Sequence, residues 1–278
     1  MFKTENYYHI DYLAQAGVTE TCLYSLCNLI QTNVDLTDAL LLTSEQSHAF
    51  IFKDLFGRYY IIRSGFASGY SGEGPKGLAK ALAILRRHQI DIEEVLIPSK
   101  LINKLNKSLL TDQDIDFIFQ QKIIRPIRLH DYIHPFGDEV NQALKQKRYY
   151  LLELPYSIID DRIFDLALLF KQDPDSALSK AYKRLEDIIR QRTNLNESNK
   201  RLFEQVFQGK NAILTWDVPD HSEIQGRIEL FKGTYMAFRN ARAHREKKEN
   251  LVHQYREFLL INELYLLEEE AIAIISEK

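Results

Sequence analysis

ALSKAYKRLEDIIRQRTNL, residues 177–195, places apolar side chains at 177, 178, 181, 182, 185, 188 and 189. That is the 3.6-residue period of a helix burying one face. The same pattern runs outward from it in both directions. Upstream, DRIFDLALLFKQ (161–172) reads as a helix, and QDPDS as a turn with Asp175 or Ser176 as the cap of the long helix. Downstream, NESNKRLFEQVFQG is helical with Gly209 as its C-terminal cap. NAILTWDVPDHSE (211–223) is a loop anchored by Trp216. IQGRIELFKGTYMAFRNARAHRE and NLVHQYREFLLINELYLLEEEAIAII then complete a second half read as helical almost throughout.

The first half is mixed. Residues 18–32 form an apolar helix or buried element. HAFIFKD (48–54) and RYYIIRSG (58–65) are β-branched and aromatic, and read as a hairpin around LFG. SGFASGYSGEGPKG (64–77) is a glycine-rich loop leading into a helix at 77–89. IDIEEVLIP (90–98) resembles a strand, Ser99 opens a helix, and Thr111 caps another with acids in its first turn. KRYYLLELP (147–155) reads as a strand or short apolar element. These elements predict an α+β chain: a mixed α/β domain over residues 1–156, then an all-α domain over 157–278. No Gly/Ser linker separates the two.

Composition narrows the function. Net charge is −3, so affinity for a polyanion must come from a local patch. No apolar run approaches the length of a membrane span, and MFKTENYYHIDYL has no secretory pattern, so a cytoplasmic protein without membrane association is expected. Cys22 and Cys27 are the two cysteines and read as buried reduced thiols, which excludes a cysteine-rich zinc site. His130 and His134 are four apart, but Pro135 and Gly137 favour a structural pair in a loop. No metal or other cofactor is expected.

The segment with the most chemistry is Arg239-Asn240-Ala241-Arg242-Ala243-His244. On a helix, Asn240 and His244 lie on one face, with Arg239 about 140° from His244. An imidazole can take or give a proton near neutral pH, and a guanidinium can grip phosphate and stabilise charge developing on it. Those groups suit metal-independent cleavage of RNA, in which the 2′-hydroxyl attacks the adjacent phosphorus. From 239 to 248, five basic residues (Arg239, Arg242, Arg245, Lys247, Lys248) minus one acid (Glu246) give +4. Arg242, Arg245, Lys247 and Lys248 are therefore the candidate RNA-binding side chains. A solvated basic helix face is the alternative reading of that charge run.

AYKRLEDIIRQRTNL and LFKGTYMAFRNARAHRE together resemble a HEPN subfamily of bacterial defence and abortive-infection proteins, over about residues 157–278. The HEPN signature is an arginine, a polar residue that is often asparagine, a few further residues, then histidine. This chain carries Ala241 where that subfamily has proline, which removes no catalytic group. The resemblance implies a helical bundle that is usually a homodimer, with the motif in the dimer cleft. It also implies a metal-independent endoribonuclease, with Arg239 and His244 as the catalytic pair and Asn240 orienting them. An antiphage or toxin role, and a partner or antitoxin protein, follow from resemblance alone. Two alternatives stand beside it: a non-catalytic HEPN-type binding or assembly module, and a nucleotide-binding protein using the loop at 64–77. In the second, Gly72, Gly74, Lys76 and Gly77 would cradle a phosphate at a helix N-terminus. The loop fits neither a Walker A sequence nor GxGxxG.

Overall fold

The computed structural model describes residues 8–32, 36, 38–137, 147–240, 242 and 250–274. The chain is α+β and divides into two compact units, Met1–Leu151 and Leu152–Lys278.

The first unit is built on a five-stranded mixed sheet. Its strands are β1 (Ile10–Leu13), β2 (Asp38–Ser44), β3 (Ser47–Lys53), β4 (Tyr59–Ala67) and β5 (Asp91–Leu96), in the order β1-β4-β3-β2-β5. β2, β3 and β4 form an antiparallel meander; β1 runs parallel to β4 and β5 parallel to β2. Side chains alternate between two cores. Phe50, Phe52 and Ile62 face α1 (Thr19–Thr32) and α2 (Glu73–Arg87), while Ala49, Ile51 and Ile61 face α3 (Ser99–Asn106) and α4 (Asp112–Phe119). With both faces covered, the central strands β2 and β3 carry continuous apolar runs, Ala39–Leu42 and Ala49–Phe52, instead of alternating with polar residues. Thr111 caps α4 in a capping box with Asp114. A fifth helix, α5 (Leu129–Ile133), packs against α2.

The second unit contains α6 (Phe164–Phe170), α7 (Pro174–Thr193), α8 (Asn199–Phe207), α9 (His221–Thr234) and α10 (Leu251–Glu270). Its core is strongly aromatic, with Tyr182, Phe203, Phe231, Tyr235 and Phe258 essentially inaccessible. Trp216 stacks on Phe207 with ring centroids 4.7 Å apart, and its indole N–H donates to the Leu267 carbonyl at 2.7 Å. Gly209 follows α8 with φ +88°, a left-handed conformation that suits glycine. Among the described residues no helix is long and apolar enough to cross a membrane.

Several local expectations change. α2 begins at Glu73, not Gly77, so Gly74, Pro75 and Gly77 are helical. Proline is tolerated there because first-turn N–H groups need no intrahelical acceptor. Asp173, not Asp175 or Ser176, caps α7, accepting from the Ser176 amide at 3.0 Å, with Pro174 in the first turn. The last helix stops at Glu270; Ile272–Ala273 instead pair as β7 with β6 (Leu214–Thr215). Residues 147–155 form no strand: Lys147–Tyr149 is a short 3₁₀ turn and irregular chain follows. His130 lies in α5, with His134 in the turn after it, their rings 5.2 Å apart.

Candidate functional site

α7 and the end of α9 supply the site. The apolar stripe of α7 holds it in the core, and one acid, Glu186, interrupts that stripe while remaining 3% exposed. After Thr234 the helix widens into a π turn over Tyr235–Arg239, closed by the Asn240 amide donating to the Tyr235 carbonyl. A π turn inserts an extra residue, so whatever follows is rotated relative to α9. The Tyr235 hydroxyl donates to the Tyr182 carbonyl on α7 at 2.8 Å, and the two rings meet edge to face. Burial first, and the nearby Glu186 carboxylate second, hold the Tyr235 phenol well above its ordinary pKa. It therefore stays protonated and serves as a hydrogen-bond anchor to α7.

That anchor sets Arg239. Its Nε lies 3.6 Å from Glu186 Oε1, while Glu186 Oε2 accepts from Arg190 Nη1 at 3.2 Å. The Arg239 side chain keeps 25% exposure and lines a cleft of about 260 Å³ with Ser179, Tyr182, Lys183 and Arg242. At 3.6 Å this is an ion pair without a hydrogen bond, and the partly exposed guanidinium keeps an accessible edge for an anion. Lys183, exposed one turn from Ser179 on α7, adds a second cation at the mouth.

Arg242 plays a different part from the one expected of it. Its side chain is 5% exposed and forks onto Glu257 of α10, with Nε–Oε1 2.7 Å and Nη2–Oε2 2.6 Å; Nη1 also donates to Asp175 near the start of α7. The Glu257 side chain is 1% exposed. Arg242 is thus a buried tie between α7, α10 and the motif, its guanidinium engaged by two carboxylates where the sequence reading has it facing RNA. Asn240 is half-buried beside Arg239. His244, Arg245, Lys247 and Lys248 lie outside the described residues.

The glycine-rich segment resolves into packing. A Cβ at Gly77 would lie 2.0 Å from Thr19 Cγ2, and one at Gly74 2.9 Å from the Ala67 Cβ. These glycines let α2 approach α1 and β4. Gly72 precedes the helix in extended backbone, and Glu73 puts an acid in its first turn, where an anion would meet repulsion. Lys76 is half-buried and not among the described residues lining the neighbouring cavity. Cys22 and Cys27 are free and buried, and desolvation pushes their thiols up, to about 11 and about 12. Among the described residues no group of three or more His, Cys, Asp or Glu is arranged to hold a metal.

Sequence reasoning missed Glu186, Lys183 and Ser179. The available signal was Glu186 itself, an acid one turn beyond Tyr182 in an otherwise apolar stripe.

Residues 166–266 match a family described as a protein of unknown function (Hypoth_ymh), less than half of the chain. No curated protein matches. Among solved structures, a chain titled Respiratory complex I from Thermus thermophilus is similar at 11% identity, covering 44% of this chain and 98% of that one, with a TM-score of 0.36. A likeness that low carries no argument about fold or function.

Proposed function

We propose that the second unit is a metal-independent endoribonuclease of the HEPN type that works as a homodimer. The observation that carries this reading is the placement of Arg239: held by the buried Glu186, partly exposed, and open to a cleft that also presents Lys183. Such a guanidinium can bind a phosphodiester and stabilise the charge that builds on its oxygens as the 2′-hydroxyl attacks. His244 takes the 2′-hydroxyl proton. The same histidine from a second copy protonates the leaving 5′-oxygen, which is why the reading includes a dimer. Bacterial antiphage defence, or a toxin restrained by a partner protein, is the setting proposed for this activity.

The test uses the full chain with single-stranded RNA in the presence of EDTA. Expected are fragments ending in 2′,3′-cyclic phosphate, lost in Arg239→Ala and His244→Ala while the oligomeric state is kept. Cleavage by His244→Ala at the wild-type rate, or no cleavage by wild type of tRNA, mRNA or rRNA, overturns the proposal. RNA binding without turnover, tolerant of His244→Ala, would identify a non-catalytic binding module.

A further inference from the structure

The first unit holds a polar chain inside its apolar core, in a different unit from the Arg239 cleft. Glu94 on β5 is 4% exposed. Its carboxylate accepts from Arg128 Nη2 at 2.6 Å and Nε at 3.3 Å, from the Tyr132 hydroxyl at 2.8 Å and from the Thr43 hydroxyl at 2.6 Å. Thr43 on β2 and His48 on β3 are cross-strand partners. His48 is fully buried; its Nδ1 lies 2.9 Å from Thr43 Oγ1 and its Nε2 2.8 Å from Ser68 Oγ.

Proton counting fixes the direction of this chain. Thr43 has one hydroxyl proton and gives it to Glu94, so it can only accept from His48 Nδ1–H. Burial holds His48 down to about 4, so at neutral pH the ring carries that single proton. Nε2 then offers a lone pair to Ser68, and the Ser68 hydroxyl donates to it. Ser68, half-buried just beyond β4, lines a cavity of about 510 Å³ walled by Tyr70, Leu78, Tyr132 and Phe136. Among the described lining residues Asp131 is charged and none is basic.

We propose that Ser68 is the nucleophile of a second site, with His48 as its general base, acting on a small uncharged ester or thioester with an apolar or aromatic acyl group. Thr43 and Glu94 are positioning residues that hold the imidazole in the tautomer the step needs. Sheet packing alone does not call for burying a carboxylate and an imidazole in sequence, joined through a threonine hydroxyl; desolvating them is costly. Their order, ending in a hydroxyl on a cavity wall, matches an activated nucleophile. The described walls, largely apolar with Asp131 as their charged member, fit an uncharged substrate better than a nucleotide. In the step, Oγ bonds to the carbonyl carbon as its proton passes to His48 Nε2. The bond from that carbon to the leaving oxygen or sulfur breaks, and the leaving group takes the proton from Nε2. Water repeats the sequence, releasing the carboxylic acid and restoring Ser68.

The experiment treats the full-length protein with an alkyl fluorophosphonate, which bonds phosphorus to an activated serine and expels fluoride. The expected result is a single adduct mapped by peptide mass to Ser68, absent in Ser68→Ala and formed about 100-fold more slowly in His48→Gln. Wild type should also hydrolyse p-nitrophenyl butyrate, with that rate lost in Ser68→Ala. His244→Ala should label like wild type, which separates this site from the ribonuclease reading. Because His48→Gln removes a core hydrogen bond, the decisive readouts are the adduct position in wild type and the behaviour of Ser68→Ala. No adduct under conditions that fully label chymotrypsin, adducts spread over Tyr70 and Ser71, or ester hydrolysis by Ser68→Ala at the wild-type rate would each overturn the proposal.

Discussion

Replacing Glu257 by glutamine tests whether Arg242 is a structural tie or a phosphate contact. The two side chains are 1% and 5% exposed and share two hydrogen bonds. Removing one charge of such a pair leaves the other buried and uncompensated, which costs about 3–5 kcal/mol. Asp175 still faces Arg242, but its side chain is 63% exposed and water screens it, so the loss sits near the lower end, about 3 kcal/mol. For a unit of this size that is a fall in Tm of roughly 10 °C.

Trp216 gives the assay. It is the chain's single tryptophan, 3% exposed in the core of the second unit, so its fluorescence reports on that unit. Arg242→Met combined with Glu257→Met removes both charges at similar volume and should be far milder than either single change. If Glu257→Gln costs less than about 1 kcal/mol, the guanidinium is not held in the core, and Arg242 returns to the list of RNA contacts.

Three further outcomes follow from the geometry. Gly77→Ala should destabilise the first unit by about 1–3 kcal/mol in urea denaturation followed by circular dichroism, because the new methyl meets Thr19 Cγ2; Thr19→Ser in the same chain should recover much of the loss. Labelling of Ser68 needs neutral His48, so its rate rises with pH through the His48 pKa and is flat above it. With that pKa at about 4, in the setting of Glu94, Arg128, Tyr132 and Thr43, the plateau should hold down to roughly pH 5; a midpoint near an ordinary histidine's value, about 6.5, contradicts a buried base. In single-stranded RNA binding by the His244→Ala protein, Lys183→Gln should reduce the slope of log K against log salt by about 0.7, and Arg242→Gln should leave it unchanged; the opposite pattern refutes the cleft.

What the sequence disclosed, and what it hid, follow from one-sided and two-sided burial. Residues 177–195 announce their helix because one face of α7 is buried and the other wet. β2, DALLLTS, is covered on both faces, so its apolar run has no period that separates strand from helix. The glycines of 64–77 read as a loop because density of glycine signals freedom. Here Gly74 and Gly77 serve instead to let a helix approach its neighbours closely. The π turn at Tyr235–Arg239 leaves the local pattern unchanged but rotates the motif, so ideal-helix angles from α9 do not carry through it. The Ser68–His48–Thr43–Glu94 chain joins four stretches through strand pairing, which no local motif encodes. Its trace was a glutamate in the apolar strand IDIEEVLIP.

Charge counting is where sequence and structure diverge most usefully. The +4 of residues 239–248 treats every cation as available to phosphate. Arg242 is matched by Glu257 and Asp175, so it adds nothing to the field outside. Arg239 shares Glu186, but Arg190 also takes part of that carboxylate, and the Arg239 guanidinium is left partly uncompensated at the cleft. Lys183, absent from the count because it lies on another helix, supplies the charge that Arg242 withholds. On the proposed ribonuclease reading, a phosphate would meet Arg239 and Lys183 between α7 and the π turn. That is the position from which the Arg239 fork could stabilise charge on the phosphorus-bound oxygens.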